Sequence, residues 1–349
     1  MISFSRAQLS QLCIHYVGNK GLGEDLVCSS KAISIKDDFL KDTLIRYFTS
    51  PFKGDAYFQF KDKVDPNASS ARGTCKAVFE QPATLLQHSS DLAKHLYNQS
   101  IHPKVKGGEF LMCYFKDVML DGELCDAIGL FKTENKETYL KIYQHINEFE
   151  LDYENGIDIN KLDKGCLVFN TDKKNGYKLS VVDTNKGGAE CALYWEEDFL
   201  NATLKTGAYY YTKSFMDASR GFCEEVLTEE NNVTKDDQRM MLNKSTAYFK
   251  EKDNFQLQDF EKEVLVQPEL VQAFKDYRQG YNQRLDLTAI DDFEVSPTAV
   301  KKFQKYMRSV VKLDKNFHIY IHSRHDFVEK GYDEERGMKY YKLYYLNEE

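Results

Sequence analysis

Only six prolines interrupt 349 residues, so long helices and strands are open to most of the chain. No apolar run approaches the roughly 18 residues that a membrane-spanning helix needs, and no membrane segment is expected. The opening MISFSRAQLSQLCIHYVG has no charged stretch followed by a long apolar core, so no signal peptide is expected either. The cysteines are Cys13, Cys28, Cys75, Cys113, Cys125, Cys166, Cys191 and Cys223. None forms a CxxC pair or clusters with histidine at zinc-finger spacing. They are expected to be reduced and mostly buried, which fits a reducing cytoplasm. GxGxxG, Walker A, HExxH and GxSxG motifs are all missing, so no catalytic residues and no cofactor are expected. An excess of positive charge is missing too, with 47 Lys and Arg against 55 Asp and Glu and a net charge of −8. A protein that grips nucleic acid with its whole surface would read the other way, so any polyanion contact must come from a local patch.

What is there describes a folded, water-exposed protein: 42% hydrophobic and 29% charged residues, with length enough for two or three domains. The chain is organised around Cys191–Phe222, which carries the only tryptophan (Trp195), the run Tyr209-Tyr210-Tyr211, and Phe199, Phe215 and Phe222. Strands and hairpins precede this stretch and helical periodicity follows it, so it is expected to join two halves and pack against both. The tyrosine run reads as core plus rim; a base-stacking platform would use the same residues.

Leu12, Ile14 and Tyr16 alternate with Cys13, His15 and Val17, predicting a strand followed by a turn at Gly18–Gly21 and a second strand at Lys31–Ile35. His15 reads as a satisfied structural residue. Asp37–Phe48 predicts an amphipathic helix, Lys61–Thr74 a polar loop, and Pro82–Tyr97 a second helix. Asp121-Gly122 and Asn175-Gly176 are hairpin dipeptides, joining Glu109–Leu120 to Glu123–Thr133 and Cys166–Asn170 to Tyr177–Asp183. From Trp195 to about Leu287 the pattern is helical, with starts at Thr234 and Pro268. Ser296-Pro297 opens a tail helix, and FHIYIHSR and KYYKLYYL follow as strands around the loop Asp333–Gly337. The fold class is α+β: an α+β domain over 1–190, a helical region over 191–290 and a helix-plus-strands unit over 291–349.

Two clusters invite chemistry. On a strand His318 and His322 share a face but lie about 13 Å apart, too far for one metal, so with His325 and Asp326 nearby no metal site is expected. The tail helix is the better candidate. Within Lys301–Lys315 six basic residues, Lys301, Lys302, Lys305, Arg308, Lys312 and Lys315, accompany one acid, and most recur at helical spacing. A sequence-independent phosphate contact needs no more than such a local field, although a solvated helix face would show the same pattern. Acid pairs such as Glu196-Glu197-Asp198 lack a convergent partner and read as solvated.

Four segments in order, GGEFLMCYFKDV (107–118), INKLDKGCLVFN (159–170), YWEEDFLNATLKTGAYYYTKSFMDASRGF (194–222) and FEVSPTAVKKFQKYMRSVVKLDKNFHIYIHSR (293–324), resemble the bacterial 37-kDa nucleoid-associated protein family. The resemblance implies a cytoplasmic, nucleoid-located, non-enzymatic protein that binds double-stranded DNA. It supplies no contact motif, so the expected DNA-binding residues are those of the tail helix, with Lys205, Lys213 and Arg220 as further candidates. A homodimer is one expectation. The alternative function is an adaptor recruited to the nucleoid by a DNA-bound topology or replication protein, with the acidic segment Glu224–Glu230 as its surface.

Overall fold

The run Phe110-Leu111-Met112-Cys113-Tyr114-Phe115 contains no charged residue, so both faces of its strand must be covered. A computed structural model describes residues 2–54, 56–61, 70–184, 194–228, 231, 233–285, 287, 289–304, 309–313, 317–321 and 327–347, a few of them by backbone alone. The chain forms two compact units, Met1–Lys205 and Thr206–Glu349, and the fold is α+β.

The first unit contains β1 (Ile2–Ser3), β2 (Gln8–Val17), β3 (Leu26–Val27), β4 (Phe58–Phe60), β5 (Gly108–Leu120), β6 (Glu123–Thr133), β7 (Glu137–His145), β8 (Glu148–Gly156), β9 (Lys164–Phe169), β10 (Lys178–Asp183) and β11 (Ala202–Leu204). Its helices are α1 (Asp38–Thr49), α2 (Ala71–Glu80) and α3 (Leu85–Gln99). Nine strands make one antiparallel sheet in the order β11-β4-β10-β9-β6-β5-β2-β3, with β1 on β5. Phe110, Met112 and Tyr114 meet α2, α3 and the π turn Tyr194–Phe199 on one face. Leu111, Cys113 and Phe115 meet α1 on the other, where Phe48 stacks on Phe131 at 4.4 Å.

Asp121-Gly122 forms its hairpin turn as expected, whereas β9 and β10 join through the longer segment 170–177, in which a 3-10 turn Lys173–Asn175 is closed by Gly176. Asp121 and Gly122 both take positive φ, the geometry that matches strand twist. Gly176 sits at φ 91°, where a Cβ would lie 2.5 Å from the Phe60 carbonyl. The strand expected at Lys31–Ile35 is not formed; β2 pairs with Leu26–Val27 instead, and only Ile33 N–H reaches back, to the Leu12 carbonyl. Asn19 fixes that turn by donating to the His102 and Val105 carbonyls while accepting from Leu22 N–H. The expected loop Lys61–Thr74 ends in a helix: Ser70 caps α2 by accepting from Gly73 N–H at 3.1 Å, so serine and glycine there mark a helix start. Residues 62–69 lie outside the described ones. His15 is buried, with Nδ1 accepting from Ser29 N–H; Nε2 therefore carries the proton and donates to Ser89 Oγ at 2.9 Å. The described cysteines are all free; Cys28 and Cys125 are half-buried, the others buried, and Cys191 lies outside the described residues.

The second unit holds α4 (Ala208–Glu225), α5 (Lys235–Glu251), α6 (Leu257–Phe260), α7 (Pro268–Arg284) and α8 (Pro297–Gln304). A phenylalanine core joins them, and β12 (Asn254–Gln256) pairs with β13 (Asp292–Glu294). Two hairpins follow, β14 (Ser309–Leu313) with β15 (Phe317–Ile321) and β16 (Val328–Asp333) with β17 (Met338–Leu343). Thr234 and Asp237 form a reciprocal capping box, and Pro268 and Pro297 open their helices. The expected helical stretch from Trp195 is broken where β11 returns to the first unit's sheet against β4. Trp195 and Phe199 sit in the first unit's core, Phe215 and Phe222 in the second's. Phe293, Val295, Val300 and Phe303 belong to that second core as well, which ties α8 to α4–α7. No helix among the described residues is long and apolar enough to cross a membrane.

Candidate nucleic-acid interface

Helix α8 shows why its lysines face water. Ala299, Val300 and Phe303 are buried against the second core, so the intervening Lys301 and Lys302 are driven outward and are exposed. Ser296 anchors the helix start, its N–H donating to Thr212 Oγ1 at 2.9 Å and its Oγ accepting from Ala299 N–H. Lys302 Nζ lies 5.2 Å from the centroid of the Tyr209 ring at the start of α4. Tyr209, Tyr210 and Tyr211 are half-buried, and Tyr211 packs on Phe293 at 5.8 Å, so the run lies at the rim of the core. Two exposed lysines, one of them beside an aromatic ring, form a small surface able to hold a phosphate and lay a flat ring beside it.

The expected stripe does not continue as one helix. α8 ends at Gln304, and Lys312 lies in β14, its backbone opposite His318. β-branched Val310 and Val311 fit a strand better than the helix that the charge spacing predicts. Lys305, Arg308 and Lys315 lie outside the described residues, as do His322, His325 and Asp326. Among the described residues no group of three His, Cys, Asp or Glu side chains could hold a metal ion.

The remaining candidates are drawn into ion pairs. Lys213 Nζ is 2.7 Å from Asp217, and Arg220 stands 3.9 Å from both Asp217 and Glu224, so the outer side of α4 is charge-balanced. Exposed pairs of this kind contribute at most about 1 kcal/mol, so a phosphate could displace them. Lys205 is ion-paired with Asp172 at the β9–β10 turn. The hydrogen bond from Lys205 holds the Asp172 carboxyl below its ordinary value of 3.8. That stabilisation is present above about pH 4 and is lost as pH falls through the folded-state value. Lys205→Ala is expected to lower the thermal midpoint at pH 7, by the equivalent of up to ~1 kcal/mol, with the gap to wild type closing below about pH 4. A gap that does not narrow at all as pH falls below about 4 would show that the pair is not its source.

A second polar cluster lies inside the first unit, and its sequence signal is a charged residue in an otherwise apolar strand. Lys132 on β6 and Lys164 on β9 are almost wholly buried. Lys164 Nζ is 2.7 Å from Asp183; Lys132 Nζ donates to the Lys106 carbonyl at 2.7 Å and lies 3.5 Å from Glu134. Tyr194 donates to Glu134 and its ring lies within 5.4 Å of both ammonium groups. Asp163 accepts from the Glu134 and Asn135 N–H groups. Two cations thus meet carboxylates in the interior, an arrangement that fixes strands rather than one that offers an exposed nucleophile.

Of the expected acidic surface, Glu224 faces Arg220 and Glu225 faces Arg284, while Glu229 and Glu230 lie outside the described residues. No curated protein matches the sequence. The family model of the nucleoid-associated protein YejK matches residues 13–337, nearly the whole chain. The chain belongs to that family of nucleoid-associated proteins, and with it to the nucleoid in the bacterial cytoplasm.

Proposed function

We propose that this nucleoid-associated protein binds double-stranded DNA directly and without catalysis, holding phosphates through a local basic patch centred on α8. The observation that carries the reading is the outward placement of Lys301 and Lys302, the latter beside Tyr209, in a protein of net charge −8. Lys305, Arg308, Lys312 and Lys315 would extend the patch along the chain, and Lys213 and Arg220 on α4 would join DNA contact only by exchanging a carboxylate for a phosphate; Lys205, on the first unit, is a separate candidate under the same condition. Contacts of this type read no base edge, so binding depends on salt and little on sequence.

The test is a salt titration of binding to a random-sequence duplex, comparing wild type with Lys301→Ala/Lys302→Ala/Lys305→Ala/Arg308→Ala. Each lost phosphate contact should flatten the slope of log K against log salt by about 0.9. An unchanged slope would move the interface elsewhere. Absence of binding even at low salt would favour the second reading, an adaptor brought to DNA by a topology or replication protein. What favours that reading is the engagement of Lys205, Lys213 and Arg220 by their own carboxylates, which leaves the basic surface small.

A further inference from the structure

β7 and β8 form a two-stranded antiparallel hairpin that pairs with no other described strand. Its register sorts the side chains cleanly. Leu140 faces Tyr153, Ile142 faces Leu151 and Gln144 faces Phe149 on one side. Tyr139 faces Glu154, Lys141 faces Asp152, Tyr143 faces Glu150 and His145 faces Glu148 on the other. The first side is apolar yet lies in water: Leu140 is 71% exposed, Ile142 68%, Phe149 72%, Leu151 66% and Tyr153 63%. Ile146 at the tip is 92% exposed. An isolated two-stranded hairpin is marginal in water, and an amphipathic one with its apolar side uncovered is more so.

We infer that this apolar side packs against the same side of a second copy of the chain, making a four-stranded, face-to-face homodimer contact. Charge excludes the polyanionic alternatives. The opposite side carries Glu148, Glu150, Asp152 and Glu154 against one lysine, so neither DNA nor an anionic lipid surface is drawn to the hairpin. The same acids disfavour edge pairing of β8 with β8 of a second copy. Any antiparallel register that keeps the two apolar sides aligned sets carboxylate opposite carboxylate. Area fits the remaining solution. Six apolar side chains at these exposures present on the order of 500 Å², so two copies would bury about 1,000 Å², the lower bound of a specific interface. A flat apolar sheet face suits another flat face at sheet-packing distance, and a two-fold axis closes the contact without further growth.

Sedimentation and light scattering of the full chain at tens of micromolar should give twice its 40.6 kDa mass. Ile142→Asp/Leu151→Asp should return it to the single-chain mass with an unchanged circular dichroism spectrum. Tyr143→Lys on the polar side, as control, should leave the dimer intact. In a second measurement, Ile142→Cys should be captured as a covalent dimer by a short bis-maleimide, and Tyr143→Cys should not. A wild-type monomer at these concentrations overturns the inference, whatever other protein or surface the hairpin then binds. So does a dimer that survives the double aspartate substitution.

Discussion

Phe215→Ala should cost about 3–5 kcal/mol of unfolding free energy, the range for deleting a buried phenylalanine from a packed core. Phe215 projects from α4 with 4% exposure. Its ring lies 5.7 Å from Phe249, 4.3 Å from Phe255, 5.0 Å from Phe260, 5.6 Å from Phe274 and 6.5 Å from Phe293. These partners come from α5, β12, α6, α7 and β13, so one ring on α4 ties five other elements of the second unit together. The Arg278 guanidinium covers it at 5.1 Å and is itself held by Asp291 at 2.8 Å and the Ile290 carbonyl at 2.9 Å. Deleting the ring removes transfer free energy, leaves a cavity among rigid neighbours, and exposes a guanidinium face. The neighbouring aromatics are themselves braced, Phe255 stacking on Phe293 at 4.6 Å and on Phe249 at 5.3 Å, so they cannot collapse inward. Urea unfolding followed by far-UV circular dichroism is the measurement, because Trp195 reports only on the first unit's core. Phe215→Leu should lose less than half as much. A loss under about 1 kcal/mol for the alanine variant would mean that the aromatic cluster does not act as one packed body.

Much of this fold was legible because local chemistry and tertiary packing agree. Asp121-Gly122 takes the paired positive φ that such a dipeptide takes cheaply, Gly176 takes the left-handed shape that closes its turn, and Asp37, Thr234 and Ser296 cap the helices that follow them. The failures have physical causes. The hairpin β7–β8 turns through Ile146-Asn147, where Asn147 alone takes positive φ and no glycine marks the site. Only the period-two alternation of Leu140 and Ile142, and of Phe149, Leu151 and Tyr153, announced it. Ser70 was ambiguous, since serine favours both loops and helix caps, and only packing of Cys75 and Val78 against the sheet decides between them. In the candidate interface, the outward placement of Lys301 and Lys302 follows from the apolar residues around them. The extension to Lys312 does not follow, because charge spacing says nothing about where a helix gives way to a strand. The buried Lys132 and Lys164 were hidden for a related reason: a charge in a strand marks an exposed face unless its carboxylate partners, here distant in sequence, are known.

Those two lysines carry the other large effect. Lys164→Met should destabilise the first unit by about 3–5 kcal/mol, because it removes one cation from a buried set and leaves its carboxylates uncompensated. Lys164 is 1% exposed, with Nζ 2.7 Å from Asp183 and 3.9 Å from Glu134. Asp183 and Lys164 face each other across β9 and β10, so the pair also pins the register of those strands. Lys164→Met/Asp183→Leu should recover most of the loss, since taking both charges from the interior also removes the cost of desolvating them. A double variant no better than the single one would place the loss in packing of the lysine stem against Tyr194 instead. Lys132 adds a pH signature. Burial, opposed by Glu134, holds its ammonium below the ordinary value of 10.5. The unfolded chain therefore binds the extra proton, and stability contributed at this site rises as pH climbs from the folded-state value towards 10.5. Lys132→Met should erase that alkaline rise, measured as the urea midpoint against pH for both proteins. An identical slope in the two would mean that the proton on Lys132 is not coupled to folding. Together the two substitutions separate what the buried charges do for strand register from what their protonation does for stability.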